Sequence, residues 1–237
     1  MSHWIIAPVV LPAFLAAVLL FAARLGNGAA RGLTLAGNAA LVAIALALFL
    51  AAAEGPQVYR LGDWPAPFGI VLVLDRLSAL MLLLTTALSL VVLVQAIATG
   101  WDVRGRKFHA LWLFQLMGLN GAFLTGDAFN LFVFFEVLLI ASYGLMVHGG
   151  GGPRIRAGLQ YIAVNLLGST LFLFALATIY AVTGTLNMAD LAVKLPALPE
   201  GDHALMRVAA VLLMLVFAVK GALVPLHFWL PGTYAQA

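Results

Sequence analysis

Two charged residues stand where charge is expensive. Glu136 lies in NLFVFFEVLLI, residues 130–140, and Lys220 lies in VFAVKGALVP, residues 216–225. Nine residues separate Glu136 from Asp127 at the start of its apolar run, about 13 Å of helix, which places the carboxyl near a bilayer centre. An acidic side chain at that depth costs about 2.5–3.5 kcal/mol on insertion scales. A membrane carboxylate that loads and releases a proton could form part of an ion path. A static helix–helix hydrogen bond is the structural alternative. Lys220 sits 16 residues into its own apolar run, too far from the start of that run to snorkel back to it. A helix ending near 224 would let the ammonium reach the opposite interface instead. Against that, Pro225 removes a helical hydrogen bond, and apolar and aromatic residues continue past it as LHFWLP, 226–231. A helix broken at depth is tolerated only where it lines a cavity, and such breaks mark ion sites. His227 falls inside the break, between Pro225 and Pro231. Histidine titrates near neutral pH and suits a proton relay, or it bonds a carbonyl that the break frees.

The elements that must hold these residues follow from composition. Hydrophobic residues make up 64% of the 237-residue chain and charged residues 9%, far below the roughly 25% of a soluble domain, so lipid is its solvent. The expectation is an all-α, polytopic transmembrane helical bundle of about seven helices, read as one transmembrane domain over 1–237. The spans fall near 3–23, 33–53, 75–98, 107–126, 127–147, 157–182 and 204–224, the last broken near Pro225. The first run has no basic residue before it, so it is read as a retained helix and not a signal peptide. The stretch 54–74 carries Pro56, Asp63, Pro65 and Pro67, and its end, IVLVL at 70–74, is β-prone; a short hairpin or re-entrant piece is expected there. Residues 183–203 carry similar punctuation, with Pro196 and Pro199.

Orientation follows from basic residues near the helix ends. Arg24, Arg31, Arg104, Arg106, Lys107, Arg154 and Arg156 follow odd-numbered spans, seven against Arg60, Arg76, Lys194 and Arg207 on the other side, which also holds most of the acids. The N-terminus is therefore expected outside and the 149–156 loop in the cytoplasm. Twelve basic residues scattered over several loops make no nucleic-acid patch, and without cysteine there is neither a disulfide framework nor a thiolate metal site; no cofactor is read. The glycine run at 149–152 lacks the Gly-Lys-Ser/Thr ending of a phosphate loop and reads as a connector. Asn120, Asn130, Asn165, Ser142, Ser169 and Thr170 read as interhelical glue, Asp127 as a helix cap, and Tyr143 and Tyr161 as packing. His109 and His148, at cytoplasmic helix ends, are given a surface role.

Several stretches are familiar together. TGDAFNLFVFFEVLLIASYG (125–144), RIRAGLQY (154–161), TGTLNMADL (183–191) and VKGALVPLHFWLP (219–231), with DWPAPFGI (63–70) and DRLS (75–78), resemble the D subunit of Mrp-type multisubunit cation/proton antiporters along essentially the whole chain. Those proteins are similar in turn to the antiporter-like proton-pumping subunits of respiratory complex I. The resemblance implies a fold of about fourteen helices with two inverted five-helix repeats, of which this chain would be the N-terminal half. It matches Glu136 to the family's glutamate on helix 5, Lys220 to the lysine on discontinuous helix 7 and His227 to the histidine of the break. It implies that glutamate and lysine pair, and that charge passes along a polar axis. It further implies a secondary transporter component, not an enzyme, in a bacterial inner membrane. The expected partners are the other Mrp antiporter subunits (the A, B, C, E, F and G components), and the exchanged ions are Na⁺ or K⁺ and H⁺. A redox-linked pump of complex I or membrane-hydrogenase type is the nearest alternative. A retinal protein would need Lys220 on an intact pocket wall, which Pro225 and Pro231 disfavour. A non-transporting assembly piece is a further reading.

Overall fold

The computed structural model describes residues 2–21, 26–105 and 107–236, so Arg24 and Arg106 of the orientation count lie outside the described residues. The helices are α1 (Ala7–Phe21), α2 (Asn27–Ala51), α3 (Arg76–Ala98), α4 (Phe108–Leu124), α5 (Ala128–Met146), α6 (Gly152–Thr183), α7 (Met188–Lys194), α8 (His203–Lys220) and α9 (Trp229–Tyr234), with strands β1 (Gln57–Arg60) and β2 (Val71–Leu74). Six helical segments among the described residues are long and apolar enough to cross a membrane, and α4 adds a shorter apolar one. At 17 residues α4 is at the low end of the roughly 17–25 that a bilayer requires. The expected seven-span, all-α bundle is what forms.

Boundaries moved where local chemistry outweighed hydropathy. The second helix begins at Asn27, not 33, so Arg31 rides on it. The sixth begins at Gly152, not 157, and carries Arg154 and Arg156. Pro153 occupies its first turn, where the missing N–H is no loss. Before it, Gly149, Gly150 and Gly151 all have positive φ, which makes the glycine run a connector. The 57–74 segment forms the short hairpin β1–β2. The 183–203 connection contains α7, whose Asn187 side chain accepts N–H bonds from Ala189 and Asp190 at 3.1 Å each.

The chain divides into two compact units. Unit 1 comprises Met1–Tyr59, Val71–Thr125 and Phe134–Gly149; unit 2 comprises Arg60–Ile70, Gly126–Val133 and Gly150–Ala237. In unit 1, α1 packs on α4 and α2 on α3. Its interior holds polar residues: Thr34, Asn38 and Thr86 are wholly buried, and Ser89 Oγ donates to Asn38 Oδ1 at 2.6 Å between α2 and α3. Such interhelical bonds replace the apolar driving force that lipid removes. In unit 2, α6 packs against α8 and α9.

Candidate functional site: an acid and a base on apolar helices

Glu136 is positioned in unit 1 by small residues on α4. A Cβ added at Gly118 would lie 2.6 Å from Leu138 Cβ and 2.7 Å from its backbone nitrogen; one at Gly121 would lie 2.2 Å from the Phe134 ring. The two glycines therefore let α5 approach α4 as far as its backbone allows. At 100° per residue, Phe134 and Leu138 share the α4-facing side, and Glu136 falls about 180° away from it. The half-buried carboxyl thus projects from the side of α5 that α4 leaves open. At the helix start, the Asn130 N–H donates to Asp127 Oδ1 at 2.8 Å, the cap expected from sequence.

Lys220 is positioned in unit 2 by the end of α8. The helix stops at Lys220, not at 224, and the break that follows, 221–228, surrounds Pro225 as expected. The Leu223 N–H donates to the Ala218 carbonyl at 2.9 Å and the Ala222 N–H to the Val219 carbonyl at 3.2 Å, with Ala222 at φ 51°. This is a Schellman ending, with alanine in the left-handed position that glycine usually takes. Proline disfavours helical backbone at the residue before it and clashes with the carbonyl four residues back, so α8 unwinds one turn ahead of Pro225. The Trp229 indole N–H donates a further bond to the Val219 carbonyl at 3.0 Å and ties the segment past the break to the end of α8. Trp229 is buried, 5.6 Å centroid to centroid from the Tyr161 ring of α6.

The lysine does not snorkel. Its stem runs along Gly168 of α6, whose added Cβ would lie 3.8 Å from Lys220 Cγ and Cε. Its Nζ donates to Ser169 Oγ at 3.2 Å. The carbonyl-rich C-terminus of α8 favours a cation at this place. His227 lies on the exposed turn beyond the break, where its carbonyl accepts from the Leu230 N–H at 2.9 Å.

The polar residues assigned to glue divide. Asn120 bridges helices through Nδ2 to the Pro8 carbonyl at 2.9 Å. Asn165 donates to the Tyr161 carbonyl at 2.9 Å and Thr170 to the Leu166 carbonyl at 2.9 Å, both within α6. Ser169, by contrast, touches the lysine. The surface role given to His109 and His148 is wrong. His148 is 7% exposed and donates Nε2–H to the Trp101 carbonyl at 2.9 Å. The close approach requires Gly105, whose added Cβ would lie 2.7 Å from His148 Nδ1. His109 Nε2 lies 3.2 Å from Asp102 Oδ2. Asp102 is buried and also accepts from Arg31, Nε to Oδ2 at 2.6 Å and Nη2 to Oδ1 at 2.8 Å. The Arg31 guanidinium, then His109, hold this carboxyl below the usual carboxylate range, against the opposing effect of burial. Sequence reasoning missed this cluster because its members are far apart in the chain and each taken alone looks like an interfacial charge.

An acid and a base on apolar helices of a many-span bundle define an integral membrane protein with ionisable groups inside its spans. The family described as "NADH:quinone oxidoreductase/Mrp antiporter, TM" matches residues 125–237, which include both groups. Over residues 125–237 the chain is similar to members of this family. It is 48% identical to the D subunit of a probable K⁺/H⁺ antiporter of Rhizobium meliloti, over 100% of this chain and 45% of that one. It is 42% identical to the D subunit of the Na⁺/H⁺ antiporter of Alkalihalophilus pseudofirmus, over 99% and 47%. Among solved structures, a chain of the Mrp complex from Dietzia sp. superposes with a TM-score of 0.88 at 35% identity, over 100% of this chain and 44% of that one. The chain thus spans about half the length of the curated relatives it matches.

Proposed function

We propose that this chain provides an intramembrane proton path within a multisubunit monovalent-cation/proton antiporter of a bacterial inner membrane, its N-terminus outside. One observation carries the reading: Lys220 ends α8 inside an apolar sequence, with its ammonium on the Ser169 hydroxyl. A cation held at a helix terminus by a neutral oxygen can change its protonation or partner without breaking the fold. Glu136 and Lys220 are the two exchangeable groups of the path, and His227, on the turn past the break, relays protons to or from it. The chain acts as one component of a secondary transporter beside further antiporter subunits, and Na⁺ or K⁺ exchanges for H⁺. The family also includes quinone oxidoreductases, whose antiporter-like components could use the same two groups with redox energy. The relatives at 48% and 42% identity carry antiporter names, which favours exchange.

The test uses the complete protein with its partner subunits in inverted vesicles. Glu136→Gln and Lys220→Ala are each expected to abolish cation-dependent proton exchange, measured as decay of an imposed pH gradient. Unchanged exchange in both variants would falsify the reading. Co-purification of redox subunits would decide for the alternative. The chain has no cysteine, so Ser2→Cys and Gly150→Cys report orientation cleanly. An impermeant maleimide should label the first in intact spheroplasts and the second only in inverted vesicles.

A further inference from the structure

Among the described residues, four buried side-chain atoms have no hydrogen-bond partner: His109 Nδ1, Trp112 Nε1, Gln115 Oε1 and Asn120 Oδ1. All four lie on α4. Buried polar groups are almost always paired with protein or with ordered water, so four unpaired ones on a single 17-residue helix need an explanation. Their chemistry is mixed. The indole nitrogen of Trp112 only donates, and the amide oxygens of Gln115 and Asn120 only accept. The role of His109 is fixed from its other side. Asp102 already accepts two bonds from Arg31 as a carboxylate, so the His109 Nε2 facing it at 3.2 Å must be the protonated nitrogen. In the neutral ring Nδ1 is then a lone pair inside the bundle.

His109, Trp112 and Gln115 recur every three residues, a rise of about 4.5 Å per step, and residues at this spacing are neighbours on a helix surface. A buried water requires polar partners, and each step of this series offers one. Asn120, five residues past Gln115 and turned about 140° from it, lies on another side of α4, where its Nδ2 donates to the Pro8 carbonyl of α1, and it is not part of this series.

We propose that α4 carries a file of bound water, and that His109 Nδ1, at its loop end, is a proton-accepting site fed by that water. The step balances simply. A hydronium O–H bond breaks as the Nδ1–H bond forms, water remains in the file, and the positive imidazolium faces the Asp102 carboxylate; release reverses it. The described groups that face the ring are Asp102 from the turn after α3, Arg31 from α2 and His148 beyond α5, with the Phe108 ring edge-on at 5.4 Å. Arg104 is stacked over Trp101 at 4.3 Å nearby. Burial, the guanidinium and His148 oppose the added charge, and the Asp102 carboxylate favours it. The inference involves neither Glu136, Lys220 nor His227, and it stands or falls apart from the antiport reading.

The experiment is solid-state NMR of the full protein in liposomes, with ¹⁵N-labelled histidine and tryptophan. At alkaline pH the His109 signal, assigned by its loss in His109→Gln, should be that of the Nε2–H tautomer, with magnetisation transfer from water to its Nδ1 surroundings and to the Trp112 indole. Its Nδ1 should gain a proton as the pH is lowered to about 5. Trp112→Phe should remove the indole–water transfer and leave the histidine titration in place. His109→Gln should remove the titration. Should that variant fail to insert, a chain with the other four of its five histidines changed to Gln reads His109 alone. Absence of water transfer to both positions overturns the file. Water at Nδ1 without protonation down to about pH 5 overturns the accepting role.

Discussion

Asp102 in unit 1 and Lys220 in unit 2 are both charges held by an apolar chain, in different settings. Asp102 is clamped by a bidentate guanidinium and an imidazole, so its charge is matched by an opposite one in fixed geometry. Lys220 sits at a helix terminus with the Ser169 hydroxyl among its partners. A bidentate ion pair stabilises one protonation state strongly. A helix C-terminus adds a weaker, less directional preference for a cation.

The largest effect should come from breaking the clamp. Arg31→Met leaves a buried carboxylate with only the imidazole beside it and should lower the midpoint of denaturant unfolding in detergent. The clamp also has a pH signature. The Asp102 carboxyl is lowered from its ordinary value, so its contribution is fully present above about pH 4 and fades as pH falls through the lower native value. Acid titration of unfolding in Asp102→Asn should lack this loss; an identical acid limb in both proteins would remove the clamp from the comparison.

Next in size is the glycine contact beneath Glu136. Gly121→Leu drives a branched side chain into the Phe134 ring and should cost about 2 kcal/mol, seen as a lowered unfolding midpoint. The broken helix should respond less. Trp229→Phe leaves the Val219 carbonyl without its indole donor and should cost about 1 kcal/mol. If exchange falls in this variant by much more than stability does, the break itself, and not only Lys220, has to be held in place. The smallest change should be favourable. Ala222→Gly relieves a left-handed alanine and should add about 1 kcal/mol, measured by the same unfolding assay.

Much was legible in the sequence because lipid imposes a simple rule. A long apolar run must become a helix, so the spans could be read directly, and the punctuation of 54–74 allowed a hairpin or a re-entrant piece, of which the hairpin formed. The cap at Asp127 was legible too, since its partner lies three residues away. Where a proline stands is local, but where a helix gives way is not. The end of α8 moved back to Lys220 because the turn before Pro225 closes on Ala218 and Val219, and Trp229 returns to bond the Val219 carbonyl.

The sequence by itself determined that this is a many-span membrane protein with an acid on its fifth span and a base on its seventh, and its wording pointed to the antiporter family. Only the tertiary structure decided who meets whom. It set Ser169 and Gly168 around Lys220 and turned Glu136 away from α4. It also drew Arg31 and His109 onto the buried Asp102. Hydropathy is additive along a chain and survives without coordinates. Pairings between residues separated by 51 or 71 positions depend on how helices cross, and no local pattern encodes that.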